Sequence, residues 1–230
     1  MYFRVEYRVQ IQNLFLYLRN LLLLKIRTSS KMKLSDIHLD FNTDKGTGHN
    51  YIETYENLFS NIRTSKMNVL EIGVLFGGSL KMWEEYFCNS TVYGIEDFSQ
   101  ENSNEDFGGF GVNADEVRAD LAKHNRIWLI EGDSRDIEFV KNKVGSLGIE
   151  FNIIIDDGDH EVSSQTANFD NFIPYLSRGG IYIIEDVSGM KAAKYLKKYI
   201  DKSYDKFKVE IIPLNIKERT DDILMIVRYY

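Results

Sequence analysis

Short β-branched runs recur along this chain, and most of them stop at a glycine or a carboxylate. Residues 67–72, 91–95, 126–130, 151–155 and 181–184 are apolar runs bounded by polar residues. Runs of that length read as strands buried on both faces of a parallel sheet. The segments between them carry a different period. Leu80, Trp83 and Phe87 share one helix face, as do Val162, Phe169, Phe172, Ile173 and Leu176 before an Arg178-Gly-Gly180 stop. Residues 51–59, 136–147 and 191–200 also read as helices, and a short helix ends near His124. Residues 206–213 and 222–230 then read as two strands with no helix between them. The pattern predicts an α/β fold: five strand–helix units closed by an antiparallel hairpin, seven strands in all.

Ligands of open α/β sheets gather at the carboxyl ends of the strands. Those ends carry the chemistry here. Ile153-Ile-Ile-Asp-Asp-Gly-Asp-His160 and Ile183-Ile-Glu-Asp186 place Asp157, Glu185 and Asp186 in one crevice, with His160 one turn further on. Three carboxylates so close repel one another unless a cation sits among them, which points to a hard divalent metal beside a candidate base. The first strand runs into Glu71-Ile-Gly-Val-Leu-Phe-Gly-Gly-Ser79. A dinucleotide fingerprint would need glycine where Leu75 stands, and Glu71 favours a cationic ligand over a phosphate. Glu96, ending the next strand, sits where an acidic residue accepts from ribose hydroxyls. Gly132-Asp-Ser134, ending the third, offers polar contacts to an adenine edge. Together these ends describe an adenosine ligand without a diphosphate. His49, near Tyr51 and Tyr55, reads equally as part of a lid or as packing; His38 and His124 read as surface residues.

Composition limits the alternatives. The chain has 230 residues, 43% hydrophobic, with two prolines and no linker-like stretch, so a single domain is expected from residue 34 to 230. The net charge is −7. That argues against nucleic acid as a partner. The one cysteine, Cys88, forms no intrachain disulfide and suits a reducing, cytoplasmic setting. Residues 1–33 break from the rest: seven Lys or Arg stand against Glu6, leaving 21 basic against 34 acidic residues beyond. This leucine-rich arm has no apolar run of the ~18 residues a membrane span needs. It reads as an arm packing on the domain or a partner, as an extension before a start at Met32, or as a membrane-surface segment. Residues 99–115, rich in Asn, Asp, Ser and Gly, read as a lid or specificity loop.

From about residue 40 onward the chain resembles the class I S-adenosylmethionine-dependent O-methyltransferases, and within them the Mg²⁺-dependent sugar O-methyltransferases acting on macrolide deoxysugars or viral glycan rhamnose. The motifs that carry the likeness are Thr43-Asp-Lys-Gly-Thr-Gly-His49 with Tyr51 and Tyr55, Leu70-Glu-Ile-Gly73 with Gly77-Gly-Ser79, Tyr93-Gly-Ile-Glu96, Gly132-Asp133, Ile155-Asp-Asp-Gly-Asp-His160, Gln165, and Gly179-Gly-Ile-Tyr-Ile-Ile-Glu-Asp186. The resemblance implies a Rossmann-like seven-stranded methyltransferase sheet, mostly parallel with a C-terminal antiparallel hairpin. It implies S-adenosylmethionine held through Glu71, Gly73, Gly77, Ser79, Glu96, Asp133, Ser134 and Asp156. It also implies Mg²⁺ on Asp157, Glu185 and Asp186, with Asp157 and His160 catalytic and His160 the base. Asp159 stands where a serine is expected, adding charge near His160. The acceptor would be a small-molecule or glycan sugar, and assembly into homo-oligomers is compatible with this class. The rival readings are a catechol or phenol methyltransferase, a nicotinamide-binding oxidoreductase, and a non-catalytic binding subunit.

Overall fold

The computed structural model describes residues 32–99, 113–214 and 221–230. The basic arm up to residue 31, most of the 99–115 loop and most of the last polar connection fall outside the described residues. Among the described residues one seven-stranded sheet forms the centre. Its strands are β1 Asn68–Ile72, β2 Thr91–Glu96, β3 Ile127–Glu131, β4 Phe151–Asp156, β5 Leu176–Ile184, β6 Phe207–Pro213 and β7 Ile223–Tyr229. The spatial order is β3-β2-β1-β4-β5-β7-β6. β1 to β5 run parallel, and β7 lies antiparallel between β5 and β6. The expected mostly parallel sheet with its closing hairpin is therefore observed.

The helices are α1 Leu34–Ile37, α2 Tyr51–Phe59, α3 Gly78–Tyr86, α4 Ala114–Leu121, α5 Ile137–Lys143, α6 Val162–Phe172 and α7 Met190–Ser203. Alternating strand residues separate two cores. Val69, Ile153, Ile155, Ile181 and Ile183 pack with α1–α4 on one face. Leu70, Ile72, Ile154, Tyr182 and Ile184 pack with α5–α7 on the other. This period of two on strands buried from both sides is why the runs read as continuously apolar. Helix α6 stops earlier than its apolar period suggested. A 3₁₀ turn carrying Pro174 follows it, and β5 starts at Leu176, running through the glycine pair. Leu176 pairs with Phe151, and the register shifts before Ile153. Side-chain periodicity could not separate Leu176 on a helix from Leu176 on a buried strand.

Strand order reverses at β1, whose neighbours are β2 and β4, the switch point at which such sheets open a crevice. The register aligns the strand ends there. Ile72 pairs with Ile95 and with Asp156, and Asp156 pairs with Ile184. One further rung extends beyond the strands: Gly73 N–H donates to the Ile95 carbonyl, Asp157 N–H to that of Ile72 and Glu185 N–H to that of Asp156, each at 2.9 Å. The backbones that carry Asp157 and Glu185 are thus fixed by the sheet itself. Gly73 is needed for this closeness: its φ is +87°, and a Cβ there would lie 2.0 Å from the Asp157 carbonyl oxygen.

Candidate active site

A cleft of about 470 Å³ opens across these strand ends, of a size that suits a small molecule. Of the residues singled out in the sequence, Gly73, Ser79, Glu96, Asp133, Ser134, Asp157, His160 and Asp186 line it. Glu71, Gly77, Asp156 and Glu185 do not line it, although each lies near it. Three of these four are buried carboxylates. Gly77 takes a left-handed φ of 70° at the start of α3, where a Cβ would strike Leu121. Its role is in the turn, and the next two residues, Gly78 and Ser79, face the cleft.

Asp156 is the last residue of β4, so its side chain points to the opposite face from its strand neighbour Ile155. It is buried and accepts from Asn168 Nδ2 at 2.9 Å and Tyr182 OH at 3.2 Å. Burial pushes its carboxyl up to about 7 despite these two donors. Asp157, one residue on, faces the cleft. The sequence names both aspartates and cannot tell which way each turns.

A cation does sit among the carboxylates, and it is Lys45. Its ammonium lies 2.6 Å from Asp157 Oδ2, 2.9 and 2.8 Å from the two oxygens of Glu185, and 3.2 Å from Glu71 Oε1. Only 1% of Lys45 is exposed. Burial alone would lower its pKa, but Asp157, Glu185 and Glu71 together outweigh that and raise it well above the ordinary value. Asp157 is held below the carboxylate range: burial opposes this, and Lys45 and His160 overcome it. Nothing local in the sequence marks Lys45, because its partners are 26, 112 and 140 positions away. The fold alone brings them together.

Helix α2 covers this cluster. Tyr51, Tyr55 and Phe59 follow one another at i, i+4 spacing on the buried face. Tyr55 and Phe59 pack on Trp83 of α3 and on Phe87, which caps its C-terminus, with ring centroids 5.2 Å apart for Tyr55–Trp83 and 5.4 Å for Phe59–Phe87. That aromatic seam aims the Tyr51 hydroxyl at Asp186 and the Tyr55 hydroxyl at Glu185. Trp83 Nε1 donates to Glu71 at 2.6 Å. Glu71 is therefore an internal anchor for Lys45 and Trp83. His49 is buried behind Asp186, stacked on Tyr51 at 4.6 Å and with Nδ1 3.2 Å from both Asp186 and Asp222. It packs and orients; it does not face the cleft.

The outer half of the cluster faces the cleft. Asp157, His160 and Asp186 bring ligand atoms within 4.8 Å of one another. His160 lies 3.3 Å from Asp157 and 3.6 Å from Asp186. Burial would lower the imidazole pKa, but Asp157 above all, then Asp186 and Asp156, raise it to about 9. His160 and Asp186 both adopt left-handed φ, 62° and 51°. Non-glycine residues take that conformation at a cost, and it clusters at functional sites. The Tyr51 hydroxyl also accepts from the Asp186 N–H at 3.3 Å, which helps hold that turn.

Toward β2 and β3 the cleft changes character. Glu96 accepts from the backbone N–H groups of Val74 and Leu75 through one oxygen and of Asp97 and Phe98 through the other, at 2.9 to 3.2 Å. Leu75 turns outward with φ 49°. Asp133 pairs with Arg135, and Arg135 also reaches Asp159 at 3.1 Å. The unexpected charge at Asp159 is thus met by Arg135 and by the Ser164 hydroxyl at 2.7 Å.

This strand order, with its cleft at the carboxyl edge, is the class I methyltransferase architecture. No family model matches the chain. Curated relatives do. The chain is 30% identical over 173 residues to the 8-demethyl-8-(2-methoxy-alpha-L-rhamnosyl)-tetracenomycin-C 3'-O-methyltransferase of Streptomyces olivaceus, covering 72% of this chain and 39% of that protein. It is 31% identical over 167 residues to the mycinamicin VI 2''-O-methyltransferase of Micromonospora griseorubida, covering 69% and 37%. Among solved structures, MycE methyltransferase from the mycinamycin biosynthetic pathway, in complex with Mg and SAH, superposes with a TM-score of 0.62 at 26% identity, covering 86% of this chain and 55% of that one. The chain thus resembles sugar O-methyltransferases, and it spans about two-fifths of the length of the curated relatives it matches.

Proposed function

We propose that this chain is an S-adenosylmethionine- and Mg²⁺-dependent O-methyltransferase acting on a sugar hydroxyl. The observation that carries the reading is the outer trio: two cleft-facing carboxylates and an imidazole within 4.8 Å of one another, opening on a cleft lined by Glu96 and the Asp133–Ser134 turn. The donor set fits the ion. Mg²⁺ takes oxygen ligands from carboxylates and water, so Asp157 and Asp186 from the cleft side and Glu185 from the inner side would hold it, and His160 stays free. When bound, the ion would neutralise these carboxylates and polarise the acceptor hydroxyl. The cleft also fits S-adenosylmethionine. Glu96 would accept from ribose hydroxyls in place of some of its four backbone N–H donors, and Asp133 with Ser134 would supply polar contacts to the base.

The chain's own residues do the rest. Transfer from a sulfonium is an in-line displacement, in which the acceptor oxygen forms a bond to the methyl carbon as the carbon–sulfur bond breaks. A neutral hydroxyl is a weak nucleophile, so the unprotonated form of His160, the minor form below about pH 9, takes its proton. Asp157 and Asp186 flank and orient that imidazole. Tyr51 and Tyr55 close the inner side of the site against water. Among the described residues no helix is long and apolar enough to cross a membrane. The lone cysteine, Cys88, suits a reducing, cytoplasmic setting.

The test is a panel of acceptors: deoxysugar glycosides including rhamnosides, free sugars, and catechols, each with S-adenosylmethionine and Mg²⁺. Mass spectrometry should find the gain of one methylene on a glycoside. A gain on catechols alone would move the reading to a phenol methyltransferase.

A further inference from the structure

The sheet does not fix Asp186 as it fixes its neighbours. Asp157 and Glu185 each donate a backbone N–H to the adjacent strand, whereas the Asp186 N–H goes to the Tyr51 hydroxyl and its φ is 51°. The direction of its carboxylate is therefore set by side chains. Its two oxygens have different surroundings. Oδ1 accepts from the Tyr51 hydroxyl and lies 3.2 Å from Nδ1 of His49. Oδ2 lies 3.6 Å from His160, which lines the cleft.

One turn delivers both inner partners. The Asp44 carbonyl accepts from the N–H groups of Thr47, Gly48 and His49, and the Lys45 carbonyl accepts from that of Tyr51 at 3.0 Å, where α2 begins. The imidazole of His49 is buried and stacked on Tyr51, with ring planes 24° apart. Nδ1 faces a second acid as well, Asp222 Oδ1 at 3.2 Å. Both neighbours are carboxylate oxygens, so Nδ1 carries its hydrogen and donates. A buried acid and histidine add little to stability, because desolvation offsets their attraction. Their placement behind Asp186 suits a positional role.

We propose that His49 is a positioning residue for Asp186: with Tyr51 it holds Oδ1 inside the protein and leaves Oδ2 as the oxygen Asp186 presents to the ion. Asp222 accepts from the same N–H and keeps the imidazole edge turned to the site. The inference rests on the metal reading above, and adds how one of the three carboxylates is aimed.

Mn²⁺ titration of the full chain by electron paramagnetic resonance tests it without reference to turnover. His49→Phe keeps a ring on Tyr51 and removes the N–H. It should weaken Mn²⁺ binding by roughly 10- to 100-fold, the usual cost of losing a group that holds a metal ligand. His49→Asn restores an amide N–H near the place of Nδ1 and should stay within about fivefold of wild type. In an Asp186→Asn background, changing His49 to Phe should cost less than about threefold, because the two residues act as one unit. If His49→Phe does not fold by circular dichroism, His49→Asn is compared with His49→Gln, whose amide reaches the place of Nε2 instead. Gln should then bind at least about fivefold more weakly than Asn, and equal affinities would overturn the proposal. A wild-type affinity in His49→Phe, or the same loss with and without Asp186, would overturn it and leave the metal reading standing. Wild type that binds no Mn²⁺ would overturn the metal reading itself, and this inference with it.

Discussion

Asp156→Asn separates a buried structural carboxylate from a ligand-binding one. In the folded protein Asp156 titrates at about 7, against a usual value of 3.8, because burial disfavours its charge more than Asn168 and Tyr182 favour it. The folded pKa is raised, so the folded chain keeps a proton between about 3.8 and 7 that the unfolded chain has released. Stability from this group is full below 3.8, falls as pH rises through that window, and is flat above 7. Three pKa units correspond to about 4 kcal/mol. Asparagine is neutral throughout and similar in shape: its oxygen can accept from Asn168 and its amide can donate to Tyr182. The variant should therefore gain on wild type by about 4 kcal/mol between pH 4 and pH 8. Urea unfolding of both proteins in EDTA at several pH values measures the difference, and other titrating groups largely cancel in it. A stability difference that stays constant within about 1 kcal/mol over that range would refute the reasoning. A difference of opposite sign would mean that Asp156 is ionised and faces a cationic ligand.

Further tests address the site. His160→Ala should spare cofactor binding and slow single-turnover methyl transfer by roughly 10²- to 10⁴-fold, and a variant within a few-fold of wild type would remove His160 as base. In the metal-free protein the His160 ring should titrate by NMR at about 9, because Asp157 and Asp186 hold its proton. Saturating Mg²⁺ should move that titration down toward neutrality, and no movement would place the ion elsewhere. Glu96→Ala should weaken S-adenosylmethionine binding by on the order of 1–3 kcal/mol in calorimetry, whereas unchanged affinity would take Glu96 out of the site. Asp157→Asn should fold and lose most activity, in part restored by raised Mg²⁺ or Mn²⁺; full activity at ordinary Mg²⁺ would exclude Asp157 as a ligand.

Much of the architecture was legible because the central strands β1, β4 and the end of β5 are buried on both faces. Such runs stand out from the amphipathic helices between them, and helix α2 matches its expected 51–59 span. The carboxylates at the strand ends were legible for the same reason: a strand that stops at the sheet's edge delivers its next residue to the crevice. What stayed hidden is orientation and distant partnership. Asp156 and Asp157 are equal in sequence, yet one faces a tyrosine and an asparagine in the core and the other faces the cleft. Glu71 and Glu185 sit at strand ends as expected, but their carboxylates turn inward to a lysine. The need for a cation among the acids was correct as electrostatics; sequence could not show that Lys45 meets the inner part of that need. The early start of β5 was missed because Leu176 satisfies helical and strand periods alike.

The central claim is that Asp157, His160 and Asp186 support metal-dependent methyl transfer to a sugar oxygen. The most direct measurement is transfer of a ¹³C-labelled methyl group from S-adenosylmethionine to a rhamnoside or related deoxysugar glycoside, with EDTA and after Mg²⁺ is restored. The expected result is a labelled O-methyl signal on the sugar that vanishes in EDTA and returns with Mg²⁺. Undiminished transfer in excess EDTA, or label found on no sugar oxygen in any acceptor, would contradict it.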